Sequence, residues 1–333
     1  MRALRCKAYG AVEDVVLEDC AEPAPPGPNE VTIQISYASV SYAISLMIAG
    51  QYQTKPPLPF IPGTEAVGHV IACGARVSRL KIGDPVVAIA ESGCFGERLT
   101  LDACTVYPLP EGLPLLAALP LPISYGTAYC GLRWRGGLEP GEDVLVLGAG
   151  SGVGLAAVEL ASLMGANVIA CASTAAKREG ALACGARHAV VPDATLPAMV
   201  KKLTDGRGVD IVFDPVGGEL AETAVRATAG NARLLSIGFA SGKLPNLPAN
   251  ILLVKNLTLH GISFGRFIGW TPHDERYQHE AAVQAVMRTM LKWANEKRIR
   301  PTVSSVFPLD ELPQALKTLA ARQVIGKVAL AIS

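Results

Sequence analysis

The stretch DVLVLGAGSGVGLAAVELA, Asp143 to Ala161, decides the fold. It opens on the apolar run Val144–Leu147, turns through small residues, and continues into a run of helical character. Gly148, Gly150, Gly152 and Gly154 fall between the two runs. Side-chain-poor turns of this kind let backbone N–H groups approach a diphosphate at a helix N-terminus, whose partial positive charge favours an anion. A tight bend between two packed elements is the plainer reading. A strict G-x-G-x-x-G is absent, because Val153 holds the place of the last glycine counted from Gly148.

The flanking sequence separates the two readings. Strand-like runs NVIACAS, HAVV, VDIVFDPVG and ARLLSIGFAS alternate downstream with helix-like runs LAAVELASLMG, AAKREGALACG, LPAMVKKLTDG and LAETAVRATAG. That alternation marks a parallel sheet with crossover helices, a doubly wound α/β fold. In that context the turn reads as a phosphate cradle made by Gly150, Ser151, Gly152 and Val153. Nineteen residues past Gly154, where an acidic side chain would hold the ribose 2′-hydroxyl of NAD, stands Ser173. No carboxylate occurs between Ala170 and Arg178, while Ser173, Thr174, Lys177 and Arg178 offer hydroxyls and two cations. This set suits the 2′-phosphate of NADPH, with Lys177 as its cation. A solvated helix start is the bland alternative for Lys177 and Arg178.

Outside this region the texture changes. Up to about residue 121, Pro and Gly break short apolar runs such as EVTIQISYASV, GHVIACGARV and DPVVAIA, as in an irregular β-rich domain. Beyond about residue 260 come an amphipathic segment, HEAAVQAVMRTMLKWANEKR, and a last strand-like run. The sequence therefore predicts a dinucleotide-binding domain at 122–260 inserted into a β-rich domain made of 1–121 and 261–333. PLPISYGTAY reads as the loop at the first crossing, and NILLVKNLTLHGISF as an edge strand.

With 333 residues, 18% of them charged, and a formal net charge of +1, the chain has no electrostatic footprint for nucleic acid or anionic membrane. The apolar runs predict no bilayer span, and MRALRCKAYG enters a charged segment with no leader-like stretch. Eight cysteines without a C-x-x-C pair fit a reducing, cytoplasmic setting.

The segments QYQTKPPLPFIPGTEAVGHV, YGTAY, GAGSGVGLAAVELA, DPVGG, IGFASGKLPNLPAN and IGKVAL, in this order over the whole chain, resemble the zinc-free, zeta-crystallin-like quinone oxidoreductase branch of the medium-chain dehydrogenase/reductase superfamily. The resemblance implies a GroES-like β domain around an inserted Rossmann domain, NADPH as cofactor, and a homodimer or tetramer, in which a late edge strand pairs across a dimer axis. It places Ser41, Thr127, Ile237, Gly238, Phe239, Ser263, Phe264, Gly265 and Lys327 with the cofactor, beside the glycine turn, Ser173 and Lys177. Tyr52 matches a tyrosine at the acceptor, where its hydroxyl could orient an oxygen or donate a proton.

The zinc ligands of related alcohol dehydrogenases are replaced. Thr64 stands in Gly63-Thr64-Glu65 where they carry histidine, and Ser39-Val40-Ser41 covers the place of the first cysteine. His69 reads as a packed or surface residue. Without a Lewis acid, hydride transfer suits an acceptor that is already electrophilic, a quinone or an α,β-unsaturated carbonyl. Ser41, Ile44 and Ile48 replace polar residues of many relatives, and Pro192 replaces a tyrosine at the 2′-phosphate. These departures leave open a C=C reductase, if an apolar channel lies beside Ile44 and Ile48, or a protein that binds NADPH without turning it over.

Overall fold

The structure, a computed structural model, describes every residue except Pro272, Arg322, Gln323 and Ser333. Contacts divide it into two compact units, Met1–Ile123 with Gly265–Ser333, and Ser124–Phe264.

The first unit begins with an antiparallel ribbon of β1 (Arg2–Arg5) and β2 (Val16–Asp19). There follow β3 (Glu30–Val40), α1 (Tyr42–Ile48), β4 (Glu65–Cys73), β5 (Pro85–Ile89), β6 (Arg98–Asp102), β7 (Val106–Pro108) and α2 (Leu115–Ala118). Val31, Ile33, Ile35, Ala38 and Val40 of β3 are fully buried and nucleate the core of this unit.

The second unit starts with α3 (Gly126–Tyr129) and then alternates regularly. It runs through β8 (Asp143–Leu147), α4 (Gly152–Leu163), β9 (Asn167–Cys171), α5 (Ala175–Ala183), β10 (His188–Val190) and α6 (Leu196–Leu203). β11 (Val209–Asp214), α7 (Gly218–Val225), β12 (Thr228–Ser236), α8 (Ala249–Val254) and β13 (Thr258–Gly261) complete it. All six strands are parallel, in the order β10-β9-β8-β11-β12-β13. Counted within the unit this is 3-2-1-4-5-6, the Rossmann order, which reverses between β8 and β11. Val144 to Leu147 of β8 are fully buried, as a central strand covered on both faces requires.

The chain then returns to the first unit with α9 (Arg276–Asn295), β14 (Val303–Pro308), α10 (Leu312–Ala320) and β15 (Lys327–Ala331). β15 lies between β14 and β3 in the order β14-β15-β3-β4-β5-β7, with β6 also paired to β3. The sheet that opens with the first third of the sequence is thus closed by its last residues, giving the GroES-like domain its C-terminal strands.

Three sequence expectations need correction. PLPISYGTAY is not a loop: residues 121–125 form a wide π-turn that leads straight into α3, and a second π-turn follows at 130–135. Bonding five residues back lets a helix absorb the missing donor of Pro122. Leu115–Arg135 is consequently one helical run whose length and mean hydropathy of 1.3 meet the criteria for a membrane span, with 67% of its apolar window buried inside the protein. NILLVKNLTLHGISF is part helix: Asn250–Val254 belong to α8, and only Thr258–Gly261 form the edge strand β13.

Candidate cofactor-binding site

The site is built at the carboxyl ends of the parallel strands, where β8 and β11 diverge. The turn after β8 runs from Gly148 into α4, and Ser151 is the N-cap. Its Oγ accepts the Gly154 N–H at 3.1 Å and donates to the Gly148 carbonyl at 2.8 Å, so the hydroxyl is fully engaged in shaping the turn. The Ser151 N–H likewise donates to Gly148, at 2.9 Å. Among the described residues, none accepts a hydrogen bond from the amides of Gly150, Gly152 or Val153. These are the orphan donors of a helix N-terminus, and they suit an anion.

Two glycines are required by close approach. A Cβ on Gly154 would lie 2.2 Å from the Gly148 carbonyl oxygen, so the helix could not start so near its strand. A Cβ on Gly150 would lie 2.6 Å from Cγ and Cδ of Lys177, which shows the lysine stem laid along the turn. Lys177 sits in the first turn of α5, its N–H donating to the N-cap Thr174 at 3.3 Å. Ser173 is exposed just before it. Arg178 turns back on the strand exit, donating to the carbonyls of Ala172 at 3.0 Å and Ser173 at 3.1 Å. No carboxylate stands at the end of β9. Asp193, past the end of β10, caps its own turn by accepting from Thr195. Pro192 is half-buried beside it.

The other wall is stitched by backbone. Asp214, ending β11, accepts the amides of Val216 at 2.8 Å and Gly217 at 2.9 Å, fixing the DPVGG turn. Burial pushes its carboxyl above the ordinary value, against the pull of those two amides. The segment after β12 is tied to this turn: Ile237 donates to Asp214, Ala240 to Pro215, and Ser241 to Val216. Ile237 and Gly238 are half-buried, whereas Phe239 is 41% exposed. Ser263 is exposed and Phe264 buried just past β13.

Thr127 reaches the same end of the sheet. A Cβ on Gly131 would meet Phe213 and Ile237, and one on Gly136 would meet Leu235, so this helix runs against the strand direction. Its start, with half-buried Thr127, therefore lies beyond the strand tips. The structure thus brings together the glycine turn, Ser173, Lys177, Thr127, Ile237, Gly238, Phe239, Ser263 and Phe264 on one edge of one sheet.

Comparison with known proteins gives the family and the fold. The family model described as alcohol dehydrogenase GroES-like domain matches residues 27–111, and the one described as zinc-binding dehydrogenase matches residues 152–284. The quinone oxidoreductase-like protein 2 of Rattus norvegicus is 36% identical over 93% of this chain and 87% of its own. The chain belongs to the quinone oxidoreductase branch of the medium-chain dehydrogenase/reductase superfamily. Among solved structures, the quinone oxidoreductase of Thermus thermophilus, determined alone and with NADPH, matches with a TM-score of 0.84 and 32% identity, over the whole of both chains. A probable oxidoreductase from Mycobacterium abscessus matches with a TM-score of 0.87 and 34% identity, over 99% of this chain and 98% of its own.

In this member of the quinone oxidoreductase branch, the remaining predicted residues lie in the GroES-like unit. Ser41 is the N-cap position of α1 and makes no capping bond with its side chain. Tyr52 packs against the apolar core of that unit, and burial raises the pKa of its phenol. Gly265 begins the return of the chain. Lys327 is 6% exposed, and its Nζ contacts Glu65 at 2.8 Å and Ser39 Oγ at 3.0 Å. Its charge is answered by Glu65 within the β-rich unit. Ile44 and Ile48 are at most 1% exposed and pack in the core of this unit. His69 is exposed, and the described residues bring no three His, Cys, Asp or Glu side chains together as a metal site.

Sequence reasoning missed three buried acids that tie neighbouring segments together within each unit. Glu65 was visible as a carboxylate inside an apolar strand, and Asp214 as one ending another. Glu159 is buried on α4 and accepts from the Tyr125 hydroxyl, a pairing that no local pattern announces.

Proposed function

We propose that this chain is an NADPH-dependent oxidoreductase that reduces a quinone or a related α,β-unsaturated carbonyl. The observation that carries the reading is the set of open amides at Gly150, Gly152 and Val153, with Lys177 laid along the turn and no carboxylate at the end of β9. The amides would receive the diphosphate, and the Lys177 ammonium with the hydroxyls of Ser173 and Thr174 would receive the 2′-phosphate. When bound, the reduced nicotinamide supplies a hydride. Thr127, Ile237, Gly238 and Phe239 would bound the space around its ring. The acceptor gains that hydride and one proton, and its electrophilic carbonyl system delocalises the incoming charge. Tyr52, assigned toward the acceptor on the resemblance, keeps its proton to well above neutral pH and so remains a hydrogen-bond donor.

Support for NADPH also comes from the T. thermophilus relative, which was solved as its NADPH complex. A C=C reductase is the second reading, and the full burial of Ile44 and Ile48 lends it no support. We assign the chain to a reducing cytoplasm, in keeping with its eight free thiols.

Steady-state rates with NADPH and NADH, each against a quinone and an enone, test the reading. NADPH with the quinone should be fastest, and Lys177→Gln should raise KM for NADPH by about tenfold, the equivalent of ~1.4 kcal/mol, with little change for NADH. Absence of affinity for either nucleotide, or a preference for NADH, would overturn it.

The homodimer is proposed on β13. This strand ends the sheet, pairs only with β12 among the described residues, and leaves Leu259 52% exposed. An open apolar edge of this kind is a template for pairing with a second copy. Sedimentation should give twice the chain mass, and Leu259→Lys should shift it to the single chain; a monomeric native protein would remove the proposal.

A further inference from the structure

The amino-terminal edge of the same parallel sheet, opposite the glycine turn, carries a second concentration of positive charge. Three helices finish there. Lys201 lies in the last turn of α6, Arg226 is the C-cap of α7, and Lys255 is the C-cap of α8. Together with Asn250, Ile251 and Val254 they line a cavity of about 320 Å³. Its wall contains no carboxylate.

Cations gather at helix C-termini because the carbonyl ends are negative, and for one of the three that attraction is a direct hydrogen bond. Lys255 directs its Nζ to the carbonyls of Arg226 at 3.3 Å and Thr228 at 2.6 Å, and to Thr228 Oγ1 at 3.2 Å. Its donors are occupied by the ends of α7 and β12. Lys201 and Arg226 differ. Both side chains are exposed, and none of the described residues accepts a hydrogen bond from either charged group or forms an ion pair with it. The repulsion is felt within the cluster, since Lys201 adds to burial in lowering the Lys255 pKa. Two uncompensated cations thus share a walled concavity with a third, and a carboxamide and an apolar wall complete it.

The geometry points to a binding site for a phosphate-bearing small molecule, held by Lys201, Arg226 and Asn250, with its apolar body against Ile251 and Val254. A planar guanidinium beside a compact ammonium matches the oxygens of a phosphate group, and Lys255 contributes its charge from behind. This site is separate from the proposed cofactor turn and does not depend on it.

The test is calorimetric titration of the full chain at low ionic strength with inorganic pyrophosphate, inorganic phosphate and AMP, first alone and then in the presence of saturating NADPH. We expect one equivalent of pyrophosphate to bind in the presence of NADPH. Lys201→Gln with Arg226→Gln should weaken it by at least tenfold and leave NADPH affinity within twofold. AMP should bind at least as tightly as phosphate through the apolar wall. No binding, binding undiminished in the double variant, or binding that disappears on NADPH addition would overturn the proposal; phosphate binding more tightly than AMP would overturn the part assigned to Ile251 and Val254. Should the chain bind no NADPH, the function proposed above fails, while the comparison of native and double-variant pyrophosphate titrations still decides this one. Both substituted side chains are exposed, and retained secondary structure and unfolding temperature verify that the variant is folded.

Discussion

Lys327 and Glu65 are the two charges whose environment most constrains the β-rich unit. Glu65 is 1% exposed and accepts on both oxygens, from Lys327 at 2.8 Å and from the Ile123 amide at 2.7 Å. Removing one member of a buried pair strands the other, at a cost of about 3–5 kcal/mol, whereas removing both charges with an acceptor kept in place costs much less. Lys327→Met should therefore lower stability by that order in urea unfolding. Adding Glu65→Gln, which still accepts from Ile123, should restore most of the loss. Equal losses in the two variants would show that packing, and not charge, sets the effect. Neither role was legible in sequence. Lys327 stands in IGKVAL, and chain position alone cannot distinguish a lysine reaching for an anion from one answering a buried carboxylate 262 residues away. The full burial of Ile44 and Ile48 was equally hidden, since a one-dimensional match gives a residue's place but not the face it presents.

At the scale of elements, Asp214 shows how a strand end sets the shape of the loop that follows. Its carboxylate replaces water for the amides of Val216 and Gly217, and its pKa is raised because burial penalises the charge. Asp214→Asn keeps an acceptor and removes that penalty, so its stability should match or exceed the native protein near neutral pH. Asp214→Ala orphans two amides and should cost about 1–3 kcal/mol per unsatisfied group; chemical denaturation of the pair checks this, and equal stability of the two variants would refute it. The strands and helices of the second unit were readable because period and length agree in each. α8 was not, although Pro248 precedes it and Asn256, with φ at 54°, follows it. Those are a helix start and stop, and the unbroken apolar run Ile251–Val254 between them carries no helical period to read. The run through PLPISY escaped because prolines ordinarily end helices, and wide turns that accommodate them leave no periodicity to read.

Across the whole molecule, buried acids that are weak to begin with set an alkaline limit. Burial pushes the Cys130 and Cys171 thiols up to about 12, and it also raises Cys94, Cys104, Tyr52, Tyr107 and Tyr125. In the unfolded chain such groups lose their protons at about pH 9 to 10, while the native state retains them. The native state then binds more protons, so stability, complete below about pH 9, declines as pH rises toward the folded values. With each unit of pKa shift equivalent to ~1.4 kcal/mol, urea midpoints under reductant should be clearly lower at about pH 10.5 than at about pH 8. An unchanged midpoint would contradict the burial of these groups.

The return of β15 to lie against β3 also has a temporal meaning for synthesis on the ribosome. Residues of the second unit are contiguous, so they can reach their native arrangement once Phe264 has emerged. The flanking unit cannot, because one of the partner strands of β3 and the counter-charge of Glu65 are translated after the second unit. Nascent chains should accordingly acquire the second unit before the first is complete, with an unanswered carboxylate and an open strand edge exposed to chaperones until β15 has emerged.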